Sequence, residues 1–257
     1  MGESKYWAVA AIVLWFVLFI AGSIVVLVMF LSRYFSTDDL AKNSWGWYLA
    51  DFDQRLEQYK TTTATKVLIG PCYAYDLGEF GDFFNLGLPG IRPSEMAKIA
   101  SQCRPDHTVY VFTTLRDAKL ADKPARLSVV NPVCRKMAII RDHIRLKLGF
   151  YKKEHKSRGW WQVRNAKIMA SIKYPEKAYD ALWRIVSAHP NVKFVISPMK
   201  PNMPLGIEDL RQRFIISAKQ FDPIDLSDLL EGHMFPSFSH INKHGLAMIR
   251  EELVNES

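Results

Sequence analysis

The stretch Lys66-Val-Leu-Ile-Gly-Pro-Cys-Tyr-Ala-Tyr-Asp-Leu77 decides the fold. A run of apolar β-formers stops at Gly70-Pro71, and the next residue is Cys72. That order reads as a buried strand ending in a tight turn. A nucleophilic side chain then stands at the strand's carboxyl end, where open α/β sheets carry their chemistry. A second reading competes. Free cysteine is among the most buried residue types, and Cys72 can equally be a small residue closing a core strand.

Outward from that strand the chain alternates. Residues 82–88, Asp-Phe-Phe-Asn-Leu-Gly-Leu, read as a second strand stopping at Pro89-Gly90, and residues 93–101 as a helix with Pro93 at its first turn. Further strands are expected at 108–113, 192–197 and 223–226, and a last helix opens near Asn242. Helices between short, wholly apolar strands predict an α/β domain over 66–257. Its three layers, α/β/α, would enclose a parallel, flavodoxin-like sheet.

Ahead of the domain, residues 7–31 form a charge-free apolar run, flanked by Trp7 and Tyr34. As a helix this run spans roughly 37 Å, enough to cross a bilayer with some tilt. It is about twice the length of a signal-peptide core, which favours a retained transmembrane anchor over 1–34. The flanking charges are too balanced to fix its orientation. Residues 35–65 read as a juxtamembrane amphipathic helix from Asp38 to Tyr59, capped at Ser36-Thr37-Asp38, followed by the linker Thr61-Thr-Thr-Ala-Thr65.

The chain has 257 residues and a net charge of +8. Much of the excess is in one connection, a basic helical insertion at about 118–190 between the third and fourth strands. Lys152, Lys153, Trp160, Trp161 and Arg164 stand at its centre. Three readings apply: a solvated helical face, an element docking on anionic lipid or polymer, or a nucleic-acid surface. Nucleic acid is the weakest, since an anchored chain has poor access to it and carries no nucleic-acid motif.

Cys72, Cys103 and Cys134 are too few for a disulfide scaffold and lack CxxC spacing. In an oxidising compartment Cys103 and Cys134 can pair and leave Cys72 free. His240 and His244 lie four apart, without the Glu that a zinc-protease helix places beside its first His. Neither a metal nor a cofactor is expected.

Near the carboxyl end, Ser237-Phe-Ser-His240-Ile-Asn242-Lys-His-Gly245 puts an imidazole on a turn before the last helix. With the preceding blocks, this order resembles the SGNH (GDSL-like) hydrolase and acyltransferase superfamily over roughly 66–254. The family's Gly-Asp-Ser turn falls on Gly70-Pro71-Cys72. Its Asn-x-x-x-x-Gly block falls on Asn85 to Gly90, its Gly-x-Asn-Asp block on Thr114-Leu-Arg-Asp117, and its Asp-x-x-His-x-Asn-x-x-Gly block on Ser237 to Gly245. Cys72 thus stands at the nucleophile position, Arg116 at the oxyanion-hole Asn, and Ser237 at the acid.

The resemblance implies Cys72 as nucleophile and His240 as its base, with Ser237 or Asp228 orienting the imidazole. The N–H groups of Cys72 and Gly90 would form the oxyanion hole. Arg116 would replace its side-chain donor or bind a substrate carboxylate or phosphate. A thiol–imidazole pair can work without a third carboxylate. An anchored domain of this kind resembles the cell-envelope members of teichoic-acid D-alanylation and polysaccharide O-acetylation. That likeness implies acyl or ester transfer on an envelope polymer outside the cytoplasmic membrane, beside a multi-pass membrane O-acyltransferase. The alternative is a catalytically degenerate subunit that scaffolds the same machinery.

Overall fold

The computed structural model describes residues 3–32, 40, 44–150, 183–185, 187–201, 205–236 and 240–256. Lys152, Lys153, Trp160, Trp161, Arg164 and Ser237 lie outside these residues. The chain divides into two compact units, Met1–Asp51 with Leu127–Lys152, and Phe52–Arg126 with Lys153–Ser257. The division falls inside a helix rather than in the linker at 61–65, and it groups the first part of the basic insertion with the amino-terminal segment.

The larger unit is an α/β domain. Strands β1 (Lys66–Ile69), β2 (Phe83–Asn85), β3 (Thr108–Thr113), β4 (Val192–Ile196) and β5 (Ile224–Asp225) form one sheet in the order β2-β1-β3-β4-β5. Every pairing is parallel; Lys66 lies opposite Phe83, Ile69 opposite Val111, and Thr113 opposite Ile196. This order is the doubly wound 2-1-3-4-5 arrangement, whose switch point lies between β1 and β3. The central strands are sealed on both faces, which is why they read as unbroken apolar runs. Leu68, Tyr110, Phe112 and Val195 join Leu226, Ile249 and Leu253 in one core.

Helices α3 (Cys72–Leu77), α4 (Pro93–Ala100), α5 (Leu115–Leu120), α8 (Leu205–Ala218) and α9 (Lys243–Asn255) belong to this unit. Gly70 is required at the turn into α3: a Cβ there would come within 2.6 Å of Phe112 Cβ and 3.0 Å of Ala74 Cβ. The expected Asn-x-x-Gly pattern after His240 has a structural account. Asn242 caps α9 by accepting the Gly245 N–H at 2.9 Å, and a Cβ on Gly245 would meet Ile241 at 2.5 Å.

At the sheet's opposite, amino-terminal edge lies a closed polar network. Arg104 Nε donates to His107 Nε2 at 2.6 Å, so the ring proton sits on Nδ1 and is given to the Tyr59 hydroxyl at 3.0 Å. That hydroxyl also accepts the Arg104 N–H at 2.9 Å. Burial, with Arg104 beside it, holds the His107 pKa below the ordinary value, so the imidazole is neutral.

The smaller unit contains α1 (Glu3–Ser32), α6 (Leu127–Val130) and α7 (Pro132–Lys147). Helix α2 (Trp45–Tyr59) starts later than the sequence suggests, because its cap is Ser44, whose Oγ accepts the Trp47 N–H at 3.1 Å. Residues 10–24 of α1 are exposed on every face. Among the described residues no helix is long and apolar enough to cross a membrane. The fold by itself does not establish the anchor expected at 1–34.

All three cysteines are free thiols in this structure. Cys103 is buried at the end of α4, its Sγ 3.5 Å from the Ile99 carbonyl oxygen, so it is held as a core thiol.

Candidate active site

Cys72 opens α3 directly beyond β1, and Arg116 sits in the first turn of α5 directly beyond β3. The two strands are neighbours, so both side chains belong to the switch-point crevice. Gly90 reaches the same place from the loop after β2, where Leu88 N–H bonds the Gly70 carbonyl at 2.9 Å and keeps the loop alongside β1.

That loop is held from several sides. Arg55 donates to the carbonyls of Asn85 (2.7 Å) and Gly87 (2.8 Å), and Asn85 Nδ2 donates to those of Ala74 (2.6 Å) and Gly78 (2.9 Å). Asn85 therefore ties the loop to α3, which explains this residue type in the block. Arg126 donates to the Gly90 carbonyl at 2.9 Å and forks onto the fully buried Glu95, both N–O distances being 2.7 Å. Gly90 has φ +71°, and nothing lies within 4 Å of where its Cβ would stand, so the loop presents bare backbone to an open space.

Cys72 is partly buried, and burial is the largest influence on its thiol, pushing the pKa up; the Asp76 carboxylate pushes the same way. Against them act the guanidinium of Arg116 and the backbone N–H groups of Gly90 and of Cys72 itself, which favour the thiolate. Both expected oxyanion donors thus favour the thiolate. The resting group is a thiol.

His240 reaches the site from the turn before α9, but its hydrogen bond goes elsewhere. Its Nδ1 lies 3.4 Å from Asp76 Oδ2, and this contact holds the imidazole pKa above the ordinary value, against a smaller opposing effect of burial. Among the described residues no hydrogen bond joins Cys72 to His240. Asp76 faces both, four residues after Cys72 on α3. The spacing was visible in the sequence: i and i+4 share a helix face. What hid it was the expectation of an acid near Ser237.

One of the two orienters expected from sequence has its partner elsewhere. Asp228 is bound to Arg211, which also holds Glu208 at 2.8 Å, so its carboxylate is committed there. Ser237 lies outside the described residues. Arg116 is exposed, as a residue aimed at a ligand would be. Asp117 beside it is buried, and burial lifts its carboxyl to about 6 although the Thr114 N–H at 2.8 Å favours the charged form. Its place is the cap of α5. Among the described residues no group of His, Cys, Asp or Glu could hold a metal ion.

No family model matches the chain, and no curated protein matches it.

Proposed function

We propose that the α/β domain performs acyl (ester) transfer or hydrolysis in the SGNH-like manner, with Cys72 as nucleophile and an Asp76–His240 pair in place of an acid on the His240 loop. The observation that carries this reading is the convergence at one switch point of Cys72, two backbone N–H groups, Arg116 and the Asp76–His240 contact. The thiol gives up its proton to the neutral imidazole, and Asp76 stabilises the imidazolium formed. Sulfur attacks the acyl carbonyl, whose oxyanion meets the N–H groups of Cys72 and Gly90. The imidazolium protonates the departing alkoxide, leaving a thioester. An incoming polymer hydroxyl, or water, then takes the acyl group while its proton returns to His240. Arg116 suits a substrate with a carboxylate or phosphate near the reacting carbonyl.

The amino-terminal segment fits the same proposal. A helix apolar on every face needs a non-aqueous surround, and residues 7–31 are long enough in sequence to cross a bilayer. We place the domain on the extracytoplasmic side, acting on an anionic envelope polymer beside a membrane O-acyltransferase.

A second reading, a non-catalytic scaffold for that machinery, is favoured by one observation: the thiol is raised and makes no hydrogen bond to His240. Labelling separates the two. The enzyme reading expects an activated-ester probe to acylate Cys72, with labelling lost in Cys72→Ala and strongly slowed in His240→Ala. Unlabelled Cys72 in a folded chain, or labelling indifferent to His240, supports the scaffold.

A further inference from the structure

Helix α7 is built inside out. Its buried side carries Arg135, Asp142 and His143 together with Ala138 and Ile140. Asp142 accepts the Gly46 N–H at 2.7 Å and pairs with Arg141 at 3.2 Å, and Arg135 donates to the Val129 carbonyl, so the polar groups of Asp142 and Arg135 are bonded within the unit. The other side carries Met137, Ile144 and Leu148, with 45%, 47% and 64% of their surface exposed. Successive residues turn by about 100°, so positions 137, 141, 144 and 148 form one stripe. Arg141 interrupts the stripe, and Arg145 and Lys147 flank it on either side; all three are exposed.

The end of the helix extends the apolar surface. Gly149, at φ +71°, closes α7 with the Gly149 N–H on the Leu146 carbonyl (3.0 Å) and the Phe150 N–H on the Arg145 carbonyl (2.9 Å). This is the left-handed stop in which the residue after the glycine is held in place. That residue is Phe150, 73% exposed.

In a water-facing helix the two sides would be exchanged, since exposed apolar stripes of this kind mark contact with an apolar phase or partner. Basic residues bordering the stripe point to negative charge at the polar boundary of that phase. Within the same unit α7 packs against α1, whose apolar side chains are also exposed.

We infer that α7 is an interfacial helix. Met137, Ile144, Leu148 and Phe150 enter the acyl boundary of a bilayer, and Arg145 and Lys147 contact anionic lipid headgroups. The inference rests on the membrane reading of α1 and adds to it a lipid-specific surface that the anchor alone would not supply.

The test uses the full chain in vesicles of phosphatidylcholine, with or without 30% phosphatidylglycerol, isolated by flotation. A benzoylphenylalanine is placed at position 144 or 148, and at 140 or 251 as controls. Photolysis is followed by mass spectrometry. The expected result is lipid adducts at 144 and 148, roughly threefold or more above both controls and raised by the anionic lipid. Replacing Arg145 and Lys147 by Gln should lower them by a similar factor while thermal unfolding stays unchanged. A chain that does not float overturns the anchor and this proposal together. A chain that floats but gives no lipid adducts overturns this proposal alone. Cross-links from 144 or 148 to a second copy, or to residues 151–182, overturn it as well by naming a protein cover for the stripe.

Discussion

Nδ1 of His240 lies 3.4 Å from Oδ2 of Asp76, across 164 residues of chain. The carboxylate acts on two titrating groups with one sign, holding the proton on both the imidazole and the Cys72 thiol. Asp76→Asn should therefore lower both pKa values at once. The thiol becomes easier to ionise, yet turnover falls, on the order of 10²-fold, because the imidazolium loses its counter-charge. Proton NMR of His240 and the pH profile of Cys72 alkylation read the two shifts separately. If neither moves, Asp76 is not coupled to the site.

Arg116 offers a charge preference that can be measured without knowing the substrate. Iodoacetate and iodoacetamide alkylate thiols by the same displacement and differ in charge. An exposed guanidinium near the sulfur contributes ~1 kcal/mol toward an anion, about fivefold in rate. Arg116→Gln should lower the iodoacetate-to-iodoacetamide ratio at Cys72 by that factor. An unchanged ratio removes Arg116 from substrate binding without touching Cys72 as nucleophile.

Among the ties on the loop that presents Gly90 is the Arg126–Glu95 ion pair. Arg126→Gln leaves the Glu95 carboxylate, which has no exposed surface, without its partner. Breaking such a pair from one side costs about 3–5 kcal/mol. Urea unfolding should show that loss. In the remaining folded protein Cys72 labelling should slow, because the Gly90 carbonyl has lost its tether. Stability within experimental error of the parent would contradict the role given to this pair.

Acid stability should carry two opposed contributions. The His107 imidazole binds its proton less tightly folded than unfolded, so stability rises with pH up to the ordinary value of 6.5. Asp117 binds its proton more tightly folded, about 6 against 3.8, so stability falls as pH rises through that interval. Urea midpoints between pH 4 and 8 test both. Relative to the parent, Asp117→Asn should improve as pH rises through about 6. The deficit of His107→Gln should be smaller at pH 5 than at pH 8. Parallel curves for either variant would rule out the corresponding shift.

The sheet was readable because its strands are short and mostly apolar, and the first is stopped at once by Gly70-Pro71. Cys72, Gly90 and Arg116 followed from that frame, since each stands one step past a strand or its loop. The acid did not. Asp76 lies on the helix that carries the thiol, and only the return of the last turn to α3 reveals its partner. Asp228 looked equally suitable in sequence, and its bond to Arg211 is a long-range fact. In α7 the charges alone suggest a solvated face. Which of its sides is buried depends on Gly46 and Val129, and no periodicity within the helix reports that.

The last helix fixes when this chemistry becomes available. Ile249 and Leu253 of α9 are wholly buried, and Arg250 donates to the Leu77 carbonyl at 2.9 Å, closing the far end of the helix that Cys72 begins. A growing polypeptide displays its thiol well before the imidazole, because the Asp76–His240 contact spans 164 residues. On the proposed mechanism, the nascent chain lacks its base until the segment after His240 has been made. On the same mechanism, loss of the thirteen residues of α9 would leave Cys72 without a positioned base, even with His240 present.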